Sequence, residues 1–256
     1  MIPAILIGRE SENDFTGKNV IPIYGRPIMA YPLLAAMNSV YVDEVYVMTN
    51  SEYVKDITRE YCPAAKTIER PSKLSKPDTS VGSVFAHGLK TIKAKYKKDI
   101  EMIVLLFCNS INILSGVIDI GIEVLRENPD IDSAASVSRY NIYNPIRAQR
   151  ISKTGFLEPF VPMCDYSGSL DITCDRIFRD DVFFHDFGVS IVRPKCLQDN
   201  NYGELPHKWI GKKVYPLVQE EGFDADLRWQ LPQAQEWLSK NGFSYKTTPY
   251  MLFDNE

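Results

Sequence analysis

Apolar positions along this chain come in short unbroken runs, separated by segments with helical composition, and that alternation decides the fold class. Residues 2–8 (IPAILIG) form a continuous apolar run ending in glycine, the pattern of a strand buried on both faces that opens into a loop. A polar loop follows over 9–19, and YPLLAAMNSV (31–40) has helical composition after Pro27. VDEVYVMTN (42–50) reads as a second strand, and SEYVKDITREYC (51–62) as a helix with Ser51 as N-cap. After a loop rich in Pro and Lys (70–78), a helix is expected over 80–97. EMIVLLFCN (101–109) is a third strand, SGVIDIGIEVLRENP (115–129) a helix closed by Asn128-Pro129, and DSAASVSRY (132–140) a fourth strand.

Four strands alternating with four helices predict an α/β fold: a mostly parallel open sheet with helices on both faces. In such a sheet the ligand sits beyond the carboxyl ends of the strands, here residues 8–19, 49–52, 107–112 and 139–145. The pattern then changes. Residues 145–165 alternate around Lys153-Thr154-Gly155, which predicts a projecting hairpin. Residues 166–182 are polar and irregular, 184–194 and 212–218 read as strands, and 225–242 as a helix stopped by Gly242. One domain over 1–256 is expected, with an excursion at about 145–182.

Composition narrows the partners. At 256 residues, 45% of them hydrophobic and 11% aromatic, the chain can bury one sizeable core. A net charge of −4 without a basic stripe argues against a nucleic-acid partner but leaves room for local cationic loops. The five cysteines (Cys62, Cys108, Cys164, Cys174, Cys196) form no CxxC pair, and their odd number points to reduced thiols. His87, His185 and His207 are scattered, more the mark of structural or surface residues than of a metal site. The start, MIPAILIGRE, lacks the charged front of a signal peptide, and no run reaches bilayer length, so no membrane partner and a cytoplasmic location are expected.

Three places can carry chemistry. The loop after the first strand holds Arg9, Gly17, Lys18 and Asn19, where backbone N–H groups and cations suit phosphate; a merely solvated loop is the other reading. In FDADLRW (223–229), Asp224 and Asp226 at i, i+2 on an extended segment point the same way and can share Mg²⁺, or they are an N-cap beside a surface carboxylate. Arg70-Pro71, with Asp78-Thr79 beyond, lies in a loop after the second βα unit, where Arg70 can face a base or phosphate; a surface turn is the other reading.

Together these pieces resemble a family. AILIGR-x8-KN, with Arg9, Lys18 and Asn19 as anchors, resembles the first motif of the acylneuraminate and 3-deoxy-octulosonate cytidylyltransferases. GRPIMAYPLLAAMNS (25–39), VDEVYVMTNSEYV (42–54), RPSKLSKPDTS (70–80), LLFCNS (105–110), FGVSIV (187–192) and FDADLRWQLPQAQ (223–235) resemble further family segments in order, along nearly the whole chain.

The resemblance implies a nucleotide-diphospho-sugar transferase type of fold and a reaction in which the anomeric hydroxyl of an acidic keto-sugar attacks the α-phosphorus of CTP. A CMP-sugar, of the kind that feeds cell-surface polysaccharide, and pyrophosphate would be the products. It implies Arg9, Lys18, Asp224 and Asp226 as catalytic residues, with Mg²⁺ on the two aspartates. It implies nucleotide binding by Ile7, Gly8, Arg9, Lys18, Asn19, Arg70 and Asp78, and sugar binding by Asn109, Ser110 and Arg176. The hairpin excursion matches a family dimerisation segment, so a homodimer is implied.

Several positions depart from the family pattern. Where its phosphate loop carries Ser-Lys-Gly, this chain reads Glu12-Asn13-Asp14, losing a cation and gaining anions. One unit charge at ~4 Å is worth about 1 kcal/mol in water and ~4 kcal/mol at an effective dielectric of about 20, so the change bears on triphosphate binding. Phe107 stands where the family has a base-contacting Gln, Asn50 where it has Asp, and Phe187 where it has Asn. Besides an active enzyme, the sequence therefore leaves open a catalytically silent relative that binds a nucleotide or a protein partner, and a transferase with another base or sugar.

Overall fold

The structure, a computed structural model, describes residues 1–9, 17–95, 99–162, 165, 181–199 and 202–250. Its first half alternates β1 (Pro3–Ile7), a tiny β2 (Pro22–Ile23) and β3 (Arg26–Pro27) pair, α1 (Ala30–Met37), β4 (Glu44–Thr49), α2 (Glu52–Tyr61), β5 (Lys66–Glu69) and α3 (Val81–Lys95). Then come β6 (Ile103–Phe107), α4 (Ser115–Glu127), β7 (Ser133–Arg139), β8 (Gln149–Ile151), β9 (Leu157–Pro159), β10 (Phe183–Val192), β11 (Val214–Gln219) and a last helix, Leu231–Lys240.

Seven strands make one sheet in the order β11-β7-β10-β6-β1-β4-β5. All neighbours pair in parallel except β10, which runs antiparallel between β6 and β7. The expected mostly parallel sheet is therefore what forms.

Strand period two divides the core. Ala4 and Leu6 of β1 with Val104 and Leu106 of β6 pack on one face against Leu33, Val54, Ile118 and Ile122. Ile5, Ile7, Ile103 and Leu105 point the other way, onto Val84, Phe85, Leu89 and Ile92 of α3. Each such side chain contributes ~1.5–3 kcal/mol by leaving water, which explains why both central strands read as unbroken apolar runs. A third cluster seats the last helix: Trp237 and Leu238 pack with Ile28, Tyr31 and Phe243.

Several expectations shift by local chemistry. Strand β5 has no apolar run behind it, because only Ile68 of its four residues is buried at the sheet edge. The last helix begins at Leu231 rather than 225; residues Arg228–Gln230 form a 3₁₀ turn first, and Pro232 sits in the first helical turn, where its missing N–H costs nothing. Ser51 caps α2 as expected, its hydroxyl accepting from Val54 N–H at 3.5 Å. The hairpin forms as β8 and β9 in a separate two-stranded sheet, turned at Gly155 with φ 88°. Most of the expected excursion beyond Pro162 lies outside the described residues. No described helix is long and apolar enough to cross a membrane.

Candidate active site

The carboxyl end of β1 meets the carboxyl end of β6 at Gly8. A Cβ there would lie 2.8 Å from Cys108 Sγ and 3.3 Å from Asn19 Nδ2, so only glycine lets the two strands and the first loop converge. Asn19 is buried, and its Nδ2 donates to Arg9 O at 3.2 Å, folding the loop back on the strand end. Lys18, at the start of a 3₁₀ turn, reaches across to form an ion pair with Asp226 Oδ1.

Two guanidinium groups form the cationic side. Arg70 follows β5 and is buried; its Nε and Nη2 donate to Leu74 O at 2.9 and 2.6 Å. Arg9 Nη1 donates to the neighbouring Ser75 O at 3.0 Å. Burial, and then the charge of Arg9, push the Arg70 pKa down. Among the described residues no carboxylate pairs with either arginine. Two like charges gathered at the strand ends suit an anionic ligand.

The acidic side comes from the loop after β11. Asp224 bridges to Ser110, and Ala225 N–H donates to Asn109 O at 2.9 Å, so this loop is pinned beside the end of β6. Asn109 Nδ2 then donates to Asp224 Oδ2 at 3.3 Å and Asp226 Oδ1 at 3.1 Å. The two carboxylates converge on one amide. Burial, followed by the charge of Asp226 and a hydrogen bond with it, pushes the Asp224 pKa up to about 6. Gln230 Oε1 accepts from the N–H groups of Asp226 and Leu227 at 2.8 and 2.7 Å and fixes the far end of the loop.

Between the two sides lies a cleft of about 500 Å³, within the range of small-molecule sites. Of the residues expected from sequence, Ile7, Gly8, Arg9, Lys18, Asn19, Arg70, Asn109 and Asp226 line it, and Asp224 stands next to them through Asn109. Two expected residues are elsewhere. Asp78 is exposed and is not part of the lining; a turn closed by Thr79 N–H to Lys76 O brings Lys76, Pro77 and Thr79 to the cleft instead. Ser110 is fully buried, and its hydroxyl donates to Phe187 O at 2.6 Å, which makes it a structural tie between β6 and β10. Arg176 and Glu12-Asn13-Asp14 lie outside the described residues.

Thr79, beside Asp78 in the expected loop, does reach the cleft, whereas Lys76 and Leu227 join it with no signal in the sequence, because loop residues carry no periodicity. Phe107 lines the cleft as part of an aromatic cluster, with ring centroids 5.6 Å from Phe85, 5.7 Å from Phe187 and 6.3 Å from Trp209. Burial pushes the nearby His185 pKa down to about 4, so its ring is neutral at neutral pH.

Among the described residues no cluster of three or more His, Cys, Asp or Glu side chains could hold a metal. Two convergent carboxylates fit a hard cation that keeps waters and takes substrate oxygens, such as Mg²⁺, better than a cation needing an all-protein cage.

A seven-stranded, mostly parallel sheet with cationic and acidic loops facing each other at its carboxyl edge defines the nucleotidyltransferase class of α/β proteins. The cytidylyltransferase family model matches residues 4–138, and the chain belongs to that family.

A relative in Helicobacter pylori (strain ATCC 700392 / 26695) is a pseudaminic acid cytidylyltransferase and UDP-2,4-diacetamido-2,4,6-trideoxy-beta-L-altropyranose hydrolase. It is 25% identical over 92 residues, which is 36% of this chain and only 18% of that longer protein. Among solved structures, a CMP:2-keto-3-deoxy-manno-octonic acid synthetase complexed with CTP superposes with a TM-score of 0.62 at 14% identity, covering 93% of this chain and 98% of its own. The 4-diphosphocytidyl-2C-methyl-D-erythritol synthase of Anaerococcus prevotii DSM 20548 follows at 0.58 and 13% identity, covering 93% and 96%. At these identities the superpositions speak for the fold.

Proposed function

We propose that this chain, as one nucleotidyltransferase domain, transfers CMP from CTP to the anomeric hydroxyl of an acidic keto-sugar, sialic-acid-like or octulosonate-like, with release of pyrophosphate. The observation that carries this reading is the opposition, across one cleft, of Arg9, Lys18 and Arg70 to the convergent pair Asp224 and Asp226. The named activities of the H. pylori relative and of the CTP-bound synthetase support the base and the sugar class.

Phosphoryl transfer leaves the protein little covalent work, so charge and position do most of it. Among the described residues Arg9 and Arg70 are held by carbonyls rather than carboxylates, which leaves their charge for phosphate oxygens. Lys18 holds Asp226 and can turn its ammonium toward a triphosphate once a second cation neutralises that carboxylate. Asn109 keeps both carboxylates aimed at one point. Mg²⁺ held there by Asp224 and Asp226 would polarise the α-phosphate and acidify the attacking hydroxyl.

The homodimer belongs to the same proposal. Ile151, Phe156, Leu157 and Phe160 of the hairpin are all exposed, an apolar patch that a second subunit would cover. A cytoplasmic setting is supported by the three described cysteines, Cys62, Cys108 and Cys196, which are buried free thiols. A role in supplying cell-surface polysaccharide rests on the family resemblance.

The test is pyrophosphate release with CTP, Mg²⁺ and a panel of keto-sugar acids. Release with at least one sugar is expected. No release from any, with no heat of CTP binding by calorimetry, would instead support a catalytically silent family member.

A further inference from the structure

Behind the acidic pair lies a buried carboxylate that the proposed chemistry does not use. Asp186, in β10, is 4% exposed, and among the described residues no lysine or arginine pairs with it. Hydrogen-bond donors surround it instead. Its Oδ1 accepts from Ser136 Oγ and from Gly188 N–H at 3.0 Å. Its Oδ2 accepts from Ser138 Oγ at 2.7 Å and from Gln219 Nε2 at 2.9 Å. Burying a carboxylate without a cation costs several kcal/mol, so a group that only filled space here would be better apolar.

The network leads in one direction. The single proton of the Ser138 hydroxyl goes to Asp186, which leaves its lone pairs to accept Gly222 N–H at 2.9 Å. Gln219 Nε2 also donates to Asn112 O at 3.2 Å, while Asn112 Nδ2 donates to Glu221 O at 2.8 Å. Tyr140 OH donates to Gly222 O at 2.8 Å. Residues 221 and 222 are therefore fixed on both peptide faces, two residues before Asp224. Gly222 packs so closely that a Cβ would lie 2.4 Å from Asp186 Oδ2.

We propose that Asp186 is the positioning residue of the acidic pair: by orienting Ser138 and Gln219 it sets where Gly222 lies, and so where Asp224 and Asp226 meet Asn109. An acceptor-only side chain is needed for this. An amide in its place would turn its NH₂ toward two of the four donors, Ser136 and Gly188 or Ser138 and Gln219, and in the second orientation the Ser138 hydroxyl loses the acceptor that orients it toward Gly222. The inference rests on the reading of Asp224 and Asp226 as ligands of a divalent cation.

The experiment uses the full chain with Ser138→Ala and Asp186→Asn. Mn²⁺ is titrated in the presence of CTP, with free Mn²⁺ read by electron paramagnetic resonance; CTP affinity without metal and thermal stability are measured alongside. Partners one shell outside a metal site typically matter by about 10- to 100-fold in affinity, and a loss of that order is expected for Mn²⁺ in both variants. Metal-free CTP affinity should change far less than Mn²⁺ affinity, because Arg9 and Arg70 sit on other loops and only Lys18 touches the displaced Asp226. If Asp186→Asn fails to fold, Ser138→Ala, which removes one oxygen, still decides the matter. Wild-type Mn²⁺ affinity in Ser138→Ala, whatever its melting temperature, would overturn the proposal while leaving the metal reading intact. A wild-type chain that binds no Mn²⁺ with CTP would overturn both.

Discussion

At Asp224 the proposed function is set against stability. Its folded pKa of about 6 lies above the unfolded value near ~3.9, so the folded chain binds the proton more tightly. Its contribution to stability is therefore fully present below about pH 4 and is lost as pH rises through 6. Asp224→Asn should raise the melting temperature at pH 7 by a few degrees, for about 1–2 kcal/mol shared with Asp226, while lowering turnover. Thermal melts from pH 4 to 7 check this; equal melting temperatures at pH 7 would refute it.

Asp226 differs, because its side chain is about half exposed. Asp226→Ala should abolish Mg²⁺-dependent pyrophosphate release while changing stability by no more than ~0.5 kcal/mol, as for a surface site. Arg70→Ala should weaken CTP binding in calorimetry; unchanged affinity would move the base away from Arg70, toward the Phe107 face as a stacking surface.

At the scale of elements, the start of β7 holds the far half of the sheet together. Asp132 is buried there and accepts from the N–H groups of Lys212 and Lys213 at 2.8 and 3.0 Å, from Tyr202 OH at 2.8 Å and from Lys195 Nζ at 2.6 Å. Burial alone would push its pKa up, but Lys195 and these donors outweigh it and hold the carboxyl well below the usual range. A depressed folded pKa gives stability that is present above about pH 4 and lost as pH falls below it. Asp132→Ala should cost about 3 kcal/mol at pH 7, and less at pH 3, in urea midpoints.

The same scale shows where pattern reading succeeds. The central strands β1, β4 and β6 and the helices α2, α3 and α4 are legible because both signals, apolar runs and capping or breaking residues, agree. β5 and the 3₁₀ turn before the last helix are not, because a half-buried edge strand and a single turn bury too little to leave a pattern.

For the whole molecule, the exposed hairpin predicts association. Phe156 and Ile151 are about three-quarters exposed, more apolar surface than an isolated two-stranded hairpin usually leaves in water. Sedimentation at micromolar concentration should give a dimer, and Phe156→Asp combined with Leu157→Asp should give a monomer that remains folded, since neither side chain enters the core.

The layered fold, the cleft's position at the strand ends and most of its charged residues are legible along the chain. Those follow from periodicity and from residue type, which are local. Residue spacing also places Asp224 and Asp226 on one side of an extended segment. That Asn109 bridges them, that Lys18 crosses to Asp226, and that Ser110 turns inward and Asp78 outward follows from the folded arrangement alone. Asn109 and Asp226 are 117 residues apart, and Lys18 and Asp226 are 208 apart. Contacts at such separations depend on strand order and register, which no local pattern encodes.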